Sequence, residues 1–339
     1  MPLVEIIDRN QQAPRYRYFI DTDAKPLGRG GMGVVYRGIQ TDRYNGSKRE
    51  VAIKAMHPGL PDDVIGRARN EASIRMVSPN LIEMIDFLEC VFDSGNGPQV
   101  HYYVVSELLH GVSLLDLTGG RVTDGDGQVI PFAQTLYNQY TANRKSFVCF
   151  IAKNVLSGLF MLHTDGIIHR DIDPSNVMIT SDNKVKLIDF GVAKRLTNEQ
   201  NADGTRFGTF IGKAAYSAPE LVSGDIPKHS APSDLYSVGI LMYALLLEDL
   251  PFKGNITQIT SAVLSKPMPL KNIPDGKLRK IIGKATRKDI DKRYQSATAF
   301  ITDIDNVLSG KDPNKDLYII VGSVAVAVII GLILGLLVI

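Results

Sequence analysis

His169-Arg-Asp171-Ile-Asp173-Pro-Ser-Asn176 is the stretch on which the reading turns, and Asp189-Phe-Gly191 begins 18 residues after Asp171. Between them lie two runs rich in β-branched and apolar residues, Val177–Thr180 and Lys184–Ile188, separated by Ser181-Asp-Asn. Two such runs around a turn predict a hairpin. Ahead of the stretch, Phe147–His163 is apolar at helical spacing and predicts a long helix. Each short motif is common alone. In this order they fit H-R-D-x-x-x-x-N and D-F-G, with Ala218-Pro-Glu220 downstream.

Towards the N-terminus, Leu27-Gly28-Arg-Gly30-Gly31-Met-Gly33-Val-Val35 fits G-x-G-x-x-G-x-V. Glycines let a backbone turn sharply and bring its amides close to phosphates, where side chains would block the approach. A dinucleotide-binding unit needs a helix straight after the last glycine. Here Val34-Val-Tyr-Arg-Gly-Ile-Gln40 continues as a strand, so the glycines sit at a hairpin tip. Val51-Ala-Ile-Lys54 then places a lysine inside an apolar strand. Its ammonium needs a carboxylate or phosphate nearby, unless the strand lies at an edge and the lysine reaches water. Glu71, on the apolar side of a helix predicted over Asp62–Met76, is the partner the sequence offers.

The 339 residues suffice for one large two-lobed domain or two small ones. Hydrophobic residues make up 44% and charged residues 22%, which excludes disorder and coiled coil as whole-chain descriptions. A formal charge of +2 gives no basic footprint, so no nucleic-acid partner is expected. Two isolated cysteines, Cys90 and Cys149, exclude a disulfide scaffold and a cysteine zinc cluster, and fit a reducing compartment. Residues 16–110 read as strands with one helix, the strands falling at Val34–Ile39, Val51–Ala55, Ile82–Phe87 and His101–Val105. Residues 146–310 read as mostly helical, with a strongly apolar helix over Asp234–Leu250, and residues 117–145 as an irregular surface insertion. Strands followed by helices predict an α+β fold with two lobes.

Residues 317–339, LYIIVGSVAVAVIIGLILGLLVI, are 23 residues without a charge. As a helix they cover about 35 Å, enough to cross a hydrocarbon core about 30 Å thick. Lack of a polar stripe argues for a transmembrane helix over a buried core helix. Lys311 and Lys315, in the polar linker 311–316, favour a cytoplasmic position for everything upstream. The expected arrangement is a single-pass protein of the cell membrane with no outer domain after Ile339. Gly331 and Gly335 are either a close-approach face for a homodimer or a chance pair of glycines. The N-terminus lacks the layout of a signal peptide.

The ordered motifs resemble those of a protein kinase, and over roughly residues 16–310 the chain is similar to the eukaryotic-like serine/threonine kinases of bacteria. The resemblance implies a two-lobed protein kinase fold, with an N-terminal extension over 1–15, an N-lobe of about 16–110 and a C-lobe of about 111–310. It extends to Asp234-Leu-Tyr-Ser-Val-Gly239, which resembles D-x-W-S-x-G with tyrosine for tryptophan. Arg293 matches the arginine that pairs with the A-P-E glutamate, here Glu220. Val104-Val-Ser-Glu107-Leu-Leu109 resembles the hinge that binds adenine, with Ser106 as gatekeeper.

Under this resemblance the chain moves the γ-phosphoryl group of ATP to serine and threonine hydroxyls of protein substrates. Lys54, held by Glu71, contacts the α- and β-phosphates. Asn176 and Asp189 ligate Mg²⁺, with Mn²⁺ as a substitute. Asp171 accepts the hydroxyl proton. The backbone at Gly28, Gly30, Gly31 and Gly33 covers the phosphates. Leu27, Val35, Ala52 and Met178 form an apolar slot for adenine, whose edge is read by backbone groups of Glu107 and Leu109. Arg170 implies a phosphate on the activation segment, residues 192–217, where Thr197, Thr205 and Thr209 are candidates for autophosphorylation.

Two positions depart from the family's pattern. The lysine usual two residues after the catalytic aspartate is Asp173, and the threonine of Gly-Thr-x-x-Tyr is Lys213. Three readings stay open at this point. In a charge swap, Lys213 brings its ammonium to Asp171 and the γ-phosphate while Asp173 holds it. Otherwise transfer is weakened, giving a pseudokinase or nucleotide-binding scaffold, or the two side chains face solvent. The joint presence of Lys54, Asp171, Asn176 and Asp189 favours an enzyme, and Pro174 favours serine and threonine over tyrosine.

Overall fold

A computed structural model describes residues 4–10, 14–93, 97–124, 127–189, 213–225 and 228–309. Thr197, Thr205 and Thr209, the linker 311–316 and the apolar tract 317–339 with Gly331 and Gly335 lie outside the described residues.

The first part is a sheet of seven antiparallel strands: β1 Val4–Ile6, β2 Tyr16–Ile20, β3 Gly28–Gly30, β4 Gly33–Asp42, β5 Lys48–Met56, β6 Met84–Asp93 and β7 Pro98–Glu107. Their order is β1-β2-β4-β5-β7-β6, with β3 paired to β4. Strand alternation divides the two faces. In β5, Val51 and Ile53 are fully buried and pack with Ile20, Leu88 and Val105. Ala52 and Lys54 alternate with them and point to the opposite face. Val35 of β4 lies across from Lys54, and Ser106 of β7 across from Ala52. One face therefore makes a core and the other offers a cleft. Helix α1, Asp62–Ser73, packs against β6 and β7 and buries Ile65, Ala68, Glu71 and Ala72. It stops short of Met76 because Ile74 is already extended.

The second part opens with β8 Gly111–Ser113, α2 Leu114–Thr118, α3 Pro131–Ala142 and α4 Arg144–Thr164. The hairpin β9 Val177–Thr180 and β10 Val185–Leu187 follows and joins β8 in a second sheet, ordered β10-β9-β8. Helices α5 Pro219–Ser223, α6 Ala231–Leu247, α7 Ile256–Ser265, α8 Gly276–Ala285 and α9 Ala297–Leu308 complete it. Helix α4 is long and apolar enough to cross a membrane by length and composition, but more than half of that stretch is buried within the protein. It is the central core helix, packed against α6 and α9.

The two-lobed α+β arrangement agrees with the expectation, and two local readings are corrected. Residues 117–145 are not wholly irregular: α3 buries Ala133, Leu136 and Tyr140 along one stripe and packs on α4. Its many Gln, Asn, Thr and Tyr residues mask that stripe in the sequence. Helix α6 begins before Asp234, because Ser230 and Ser233 cap each other reciprocally ahead of it. It ends at Glu248, which takes a left-handed conformation with φ 53°.

A buried ion pair ties α5 to the far end of the chain. Arg293 donates to both Glu220 oxygens at 2.7 and 2.8 Å, and Ser233 donates to Glu220 at 2.6 Å. The Arg293 side chain is fully buried. Removing one partner of such a pair strands the other charge. Arg293→Ala should cost about 3–5 kcal/mol, read from urea unfolding, while Glu220→Leu with Arg293→Met recovers most of it. Unchanged unfolding in the single variant would contradict this role.

Candidate active site

The loop between α4 and β9 is fixed from beneath by Asp234, a fully buried carboxylate in the first turn of α6. Its oxygens accept the backbone amides of His169 at 2.9 Å and Arg170 at 2.8 Å, and meet His163 Nε2 at 2.8 Å. Arg170 can then hold φ 65°, a left-handed conformation that costs a non-glycine residue and persists only where its surroundings impose it. Asp189 is left-handed too, with φ 54°. His169 is completely buried, and burial pushes its imidazole below the usual range. It braces the loop from within the core.

Above this base the polar side chains converge. Asn176 Nδ2 donates to the Asp171 carbonyl at 2.7 Å and to Asp171 Oδ2 at 2.9 Å. The Ile188 amide donates to the Asn176 carbonyl at 3.0 Å, which brings Asp189 alongside. Lys213 Nζ lies 2.7 Å from Asp171 Oδ2 and 2.8 Å from Asp173 Oδ2. Asp173 is in turn held by the Ser175 amide at 2.7 Å and the Ser175 hydroxyl. Burial alone would lower the Lys213 pKa, but the two carboxylates outweigh it and raise it. Of the three open readings for this pair, solvent-facing side chains are not what the geometry presents.

Lys54 behaves differently from the expectation. Its Nζ lies 3.4 Å from Asp189 Oδ1, and among the described residues no ion pair joins it to Glu71. Glu71 is buried on α1, and burial, with the nearby Asp189 charge, pushes its carboxyl up to about 8 despite Lys54.

The glycine hairpin forms as read: Gly30 pairs with Gly33 at its tip. Gly33 is required by packing, since a Cβ there would fall 2.2 Å from the Ala55 carbonyl oxygen. At Gly28 and Gly31 a Cβ would meet nothing within 4 Å. Leu27, half exposed, donates its amide to the Val35 carbonyl at 2.8 Å, beside Ala52 and Lys54 on the cleft face. Met178 faces Ser113 and Lys186 across the second sheet. In the hinge, Leu109 follows Glu107, whose carboxylate accepts the Glu83 amide at 2.8 Å and the Lys186 ammonium. Lys186 also reaches the Leu81 carbonyl at 3.2 Å. Sequence reasoning missed Lys186, the central residue of β10, a charged residue between two apolar ones.

Among the described residues no three His, Cys, Asp or Glu side chains form a group that could hold a metal ion by themselves. Asn176 and Asp189 offer two oxygen donors side by side, a set that suits Mg²⁺ sharing its shell with phosphate oxygens. A cavity of about 390 Å³ lies against the loop, between Pro174, Tyr216, Tyr140 and Leu245.

The state of Glu71 has a measurable consequence. An unfolded glutamate titrates near about 4.3, so between there and about 8 the native state binds a proton that the unfolded state has released. Stability from this group is complete below the unfolded value and is lost as pH rises through the folded one. Urea unfolding of the nucleotide-free chain should therefore weaken from about pH 5 to about pH 8 by up to about 1.4 kcal/mol per pH unit, and Glu71→Gln should flatten that slope. An identical slope in both proteins would contradict the assignment.

Residues 22–304 match the family described as protein kinase domain. The probable serine/threonine-protein kinase PknB of Lactococcus lactis is 30% identical, over 86% of this chain and 42% of the relative. Serine/threonine-protein kinase pkn2 of Myxococcus xanthus is 31% identical, over 80% of this chain and 30% of the relative. Serine/threonine-protein kinase PknB of Mycobacterium leprae is 30% identical, over 85% and 43% respectively. The chain thus spans less than half the length of these relatives. With its cleft face, braced loop and converging lysines and carboxylates, it belongs to the protein kinase family, alongside serine/threonine kinases of bacteria.

Proposed function

We propose that the chain is an active serine/threonine protein kinase that transfers the γ-phosphoryl group of ATP to hydroxyls of proteins. The observation that carries this is the gathering of Lys54 with Asp171, Asn176 and Asp189, more than a hundred residues further along the chain, around one cleft. Glycine at positions 28 and 31 has no packing cause, and supports a hairpin that leaves room for phosphates to approach its amides.

Phosphoryl transfer is mainly positioning and charge neutralisation. Lys54 holds the α- and β-phosphates once nucleotide draws it from Asp189. Asn176 and Asp189 would hold Mg²⁺, which would supply positive charge to neutralise the phosphates. Leu27, Val35, Ala52 and Met178 pack on adenine, and the hinge backbone at Glu107 and Leu109 reads its edge. Asp171, oriented by Asn176, accepts the proton of the substrate hydroxyl. The hydroxyl oxygen bonds to the γ-phosphorus as the bond to the β–γ bridging oxygen breaks, and ADP departs with that electron pair. Lys213 faces the same centre and supplies the positive charge that Asp173 cannot. The cavity against Pro174 and Tyr216 offers space for substrate chain beside the acceptor.

Two further elements of the reading rest on sequence. Arg170 supports autophosphorylation of Thr197, Thr205 or Thr209, whose phosphate would gain charge-assisted bonds. The uncharged tract 317–339 supports a single-pass membrane anchor, with the kinase domain on the cytoplasmic side where ATP is found. Gly331 and Gly335 on that tract allow a homodimer.

The full chain, labelled ATP, Mg²⁺ and a generic basic protein test the reading. Asp171→Asn should lower transfer by about 10²–10⁴-fold, the range for a positioned general base. Equal labelling by wild type and variant would remove the enzyme reading and leave a nucleotide-binding scaffold. The charge swap has its own test. Asp173→Lys and Lys213→Thr should each lose about tenfold or more, and the double variant should recover much of it, as contacting pairs couple non-additively. Full activity in both singles would sink the coupling.

A further inference from the structure

The segment ahead of β2 spans both edges of the first sheet. β1 pairs with β2 at one end of the strand order, with Ile6 buried beside Tyr18 and Cys90, and β6 lies at the other end. Residues 8–10 nevertheless reach β6. The Arg9 amide donates to the Glu89 carbonyl at 2.8 Å, and Asp8 Oδ1 accepts the Glu89 amide at 3.4 Å. Tyr18 of β2 makes a second link across the curl, donating to Asp86 of β6 at 3.0 Å. The sheet is curled enough for one short segment to close it, and that segment occupies backbone groups an edge strand would otherwise expose.

The link continues into α1. The Glu89 side chain is 7% exposed. Arg9 donates to Glu89 Oε2 from Nε at 3.0 Å and Nη2 at 2.6 Å, and Arg69 of α1 donates to Oε1. Burial would raise the Glu89 carboxyl, but hydrogen bonds from Arg9 and Asn10 and the charge of Arg69 hold it below the usual carboxylate range. It is therefore ionised and grips both guanidiniums, a charge-assisted arrangement stronger than a neutral one. Arg69 also lies over the Phe87 ring at 5.3 Å, which fixes its path. Two residues further along the same helix stands Glu71, buried over the cleft end that holds Lys54 and Asp189.

We propose that Val4–Asn10 is a clasp that sets the position of α1, and that Arg9 is a positioning residue for the nucleotide site, acting through Glu89 and Arg69 on α1, the helix that carries Glu71 at the cleft. The inference rests on the kinase reading for its effect on activity, and on geometry alone for its effect on the helix. The clasp holds α1 against β6 with two cations on one buried anion. Loss of either cation leaves the anion half compensated and lets the helix shift as a unit, with Glu71 carried along. The site then binds nucleotide less well while the catalytic loop, braced separately by Asp234, keeps its shape.

The test uses the full chain with Arg9→Ala, Arg69→Ala, the double variant and Glu89→Gln, which keeps the volume at 89. Each single change should raise KM for ATP by about fivefold, within the range for network residues outside a ligand site, with a smaller effect on kcat. The double variant should be no worse than either single, because both act through one carboxylate. Amide exchange should quicken about tenfold across residues 62–73 in Arg9→Ala and stay as in wild type across 144–164. KM within twofold of wild type, additive losses, or exchange unchanged in 62–73 would each overturn the clasp. Asp171→Asn serves as the separate control: if it transfers label like wild type, the kinase reading fails, while the exchange measurement still decides the clasp. Should Arg9→Ala fail to fold, Glu89→Gln gives the same readouts.

Discussion

One ammonium between two carboxylates is the constraint on which the site depends. Asp171 and Asp173 sit two residues apart on a single tight loop, each hydrogen-bonded within it, to Asn176 and Ser175 respectively. Left alone, their charges repel each other and any approaching phosphate. Lys213 resolves this at 2.7 and 2.8 Å. The compensating charge comes from the end of the activation segment rather than from the loop itself. Asp171, Asp173 and Lys213 are thereby one electrostatic unit, and a displaced residue 213 would leave both carboxylates uncompensated.

The rest of the site is arranged around that unit by backbone grips. Asp234 spends its oxygens on two amides and a histidine, which lets Arg170 adopt a left-handed conformation next to Asp171. Glu107 and Lys186 join the hinge to β10, just before Asp189. In the N-terminal lobe, Lys54 meets Asp189 at 3.4 Å, and burial holds the Glu71 carboxyl above its usual range behind them.

Much of this was legible in the sequence. The strand Val177–Thr180 was placed with both boundaries and its hairpin partner to within a residue at each end, because β-branched residues flank a turn of Ser, Asp and Asn. Motif order singled out Lys54, Asp171, Asn176 and Asp189, and counting back from Tyr216 singled out Lys213; the structure brings these side chains together. Contacts that depend on three-dimensional register were not legible. Nothing local to Arg9, Arg69 or Glu89 says that an N-terminal arginine meets a strand some eighty positions later. Helix α3 escaped because its buried stripe is only Ala133, Leu136 and Tyr140 among polar neighbours. The Lys54–Asp189 contact escaped because motif order offers the α1 glutamate as the lysine's partner and does not reveal how deeply that glutamate is buried.

The account therefore makes one demand on geometry: a cation from residue 213 must stand beside the transferred group. A crystal structure of the chain with Mg²⁺ and a non-hydrolysable ATP analogue measures it most directly. The account predicts Lys213 Nζ between Asp171 and the γ-phosphate with Asp173 still in contact, the metal at Asn176 and Asp189, and Lys54 moved onto the phosphates. Lys213 turned into solvent, with Asp171 facing the nucleotide unaccompanied, would contradict it.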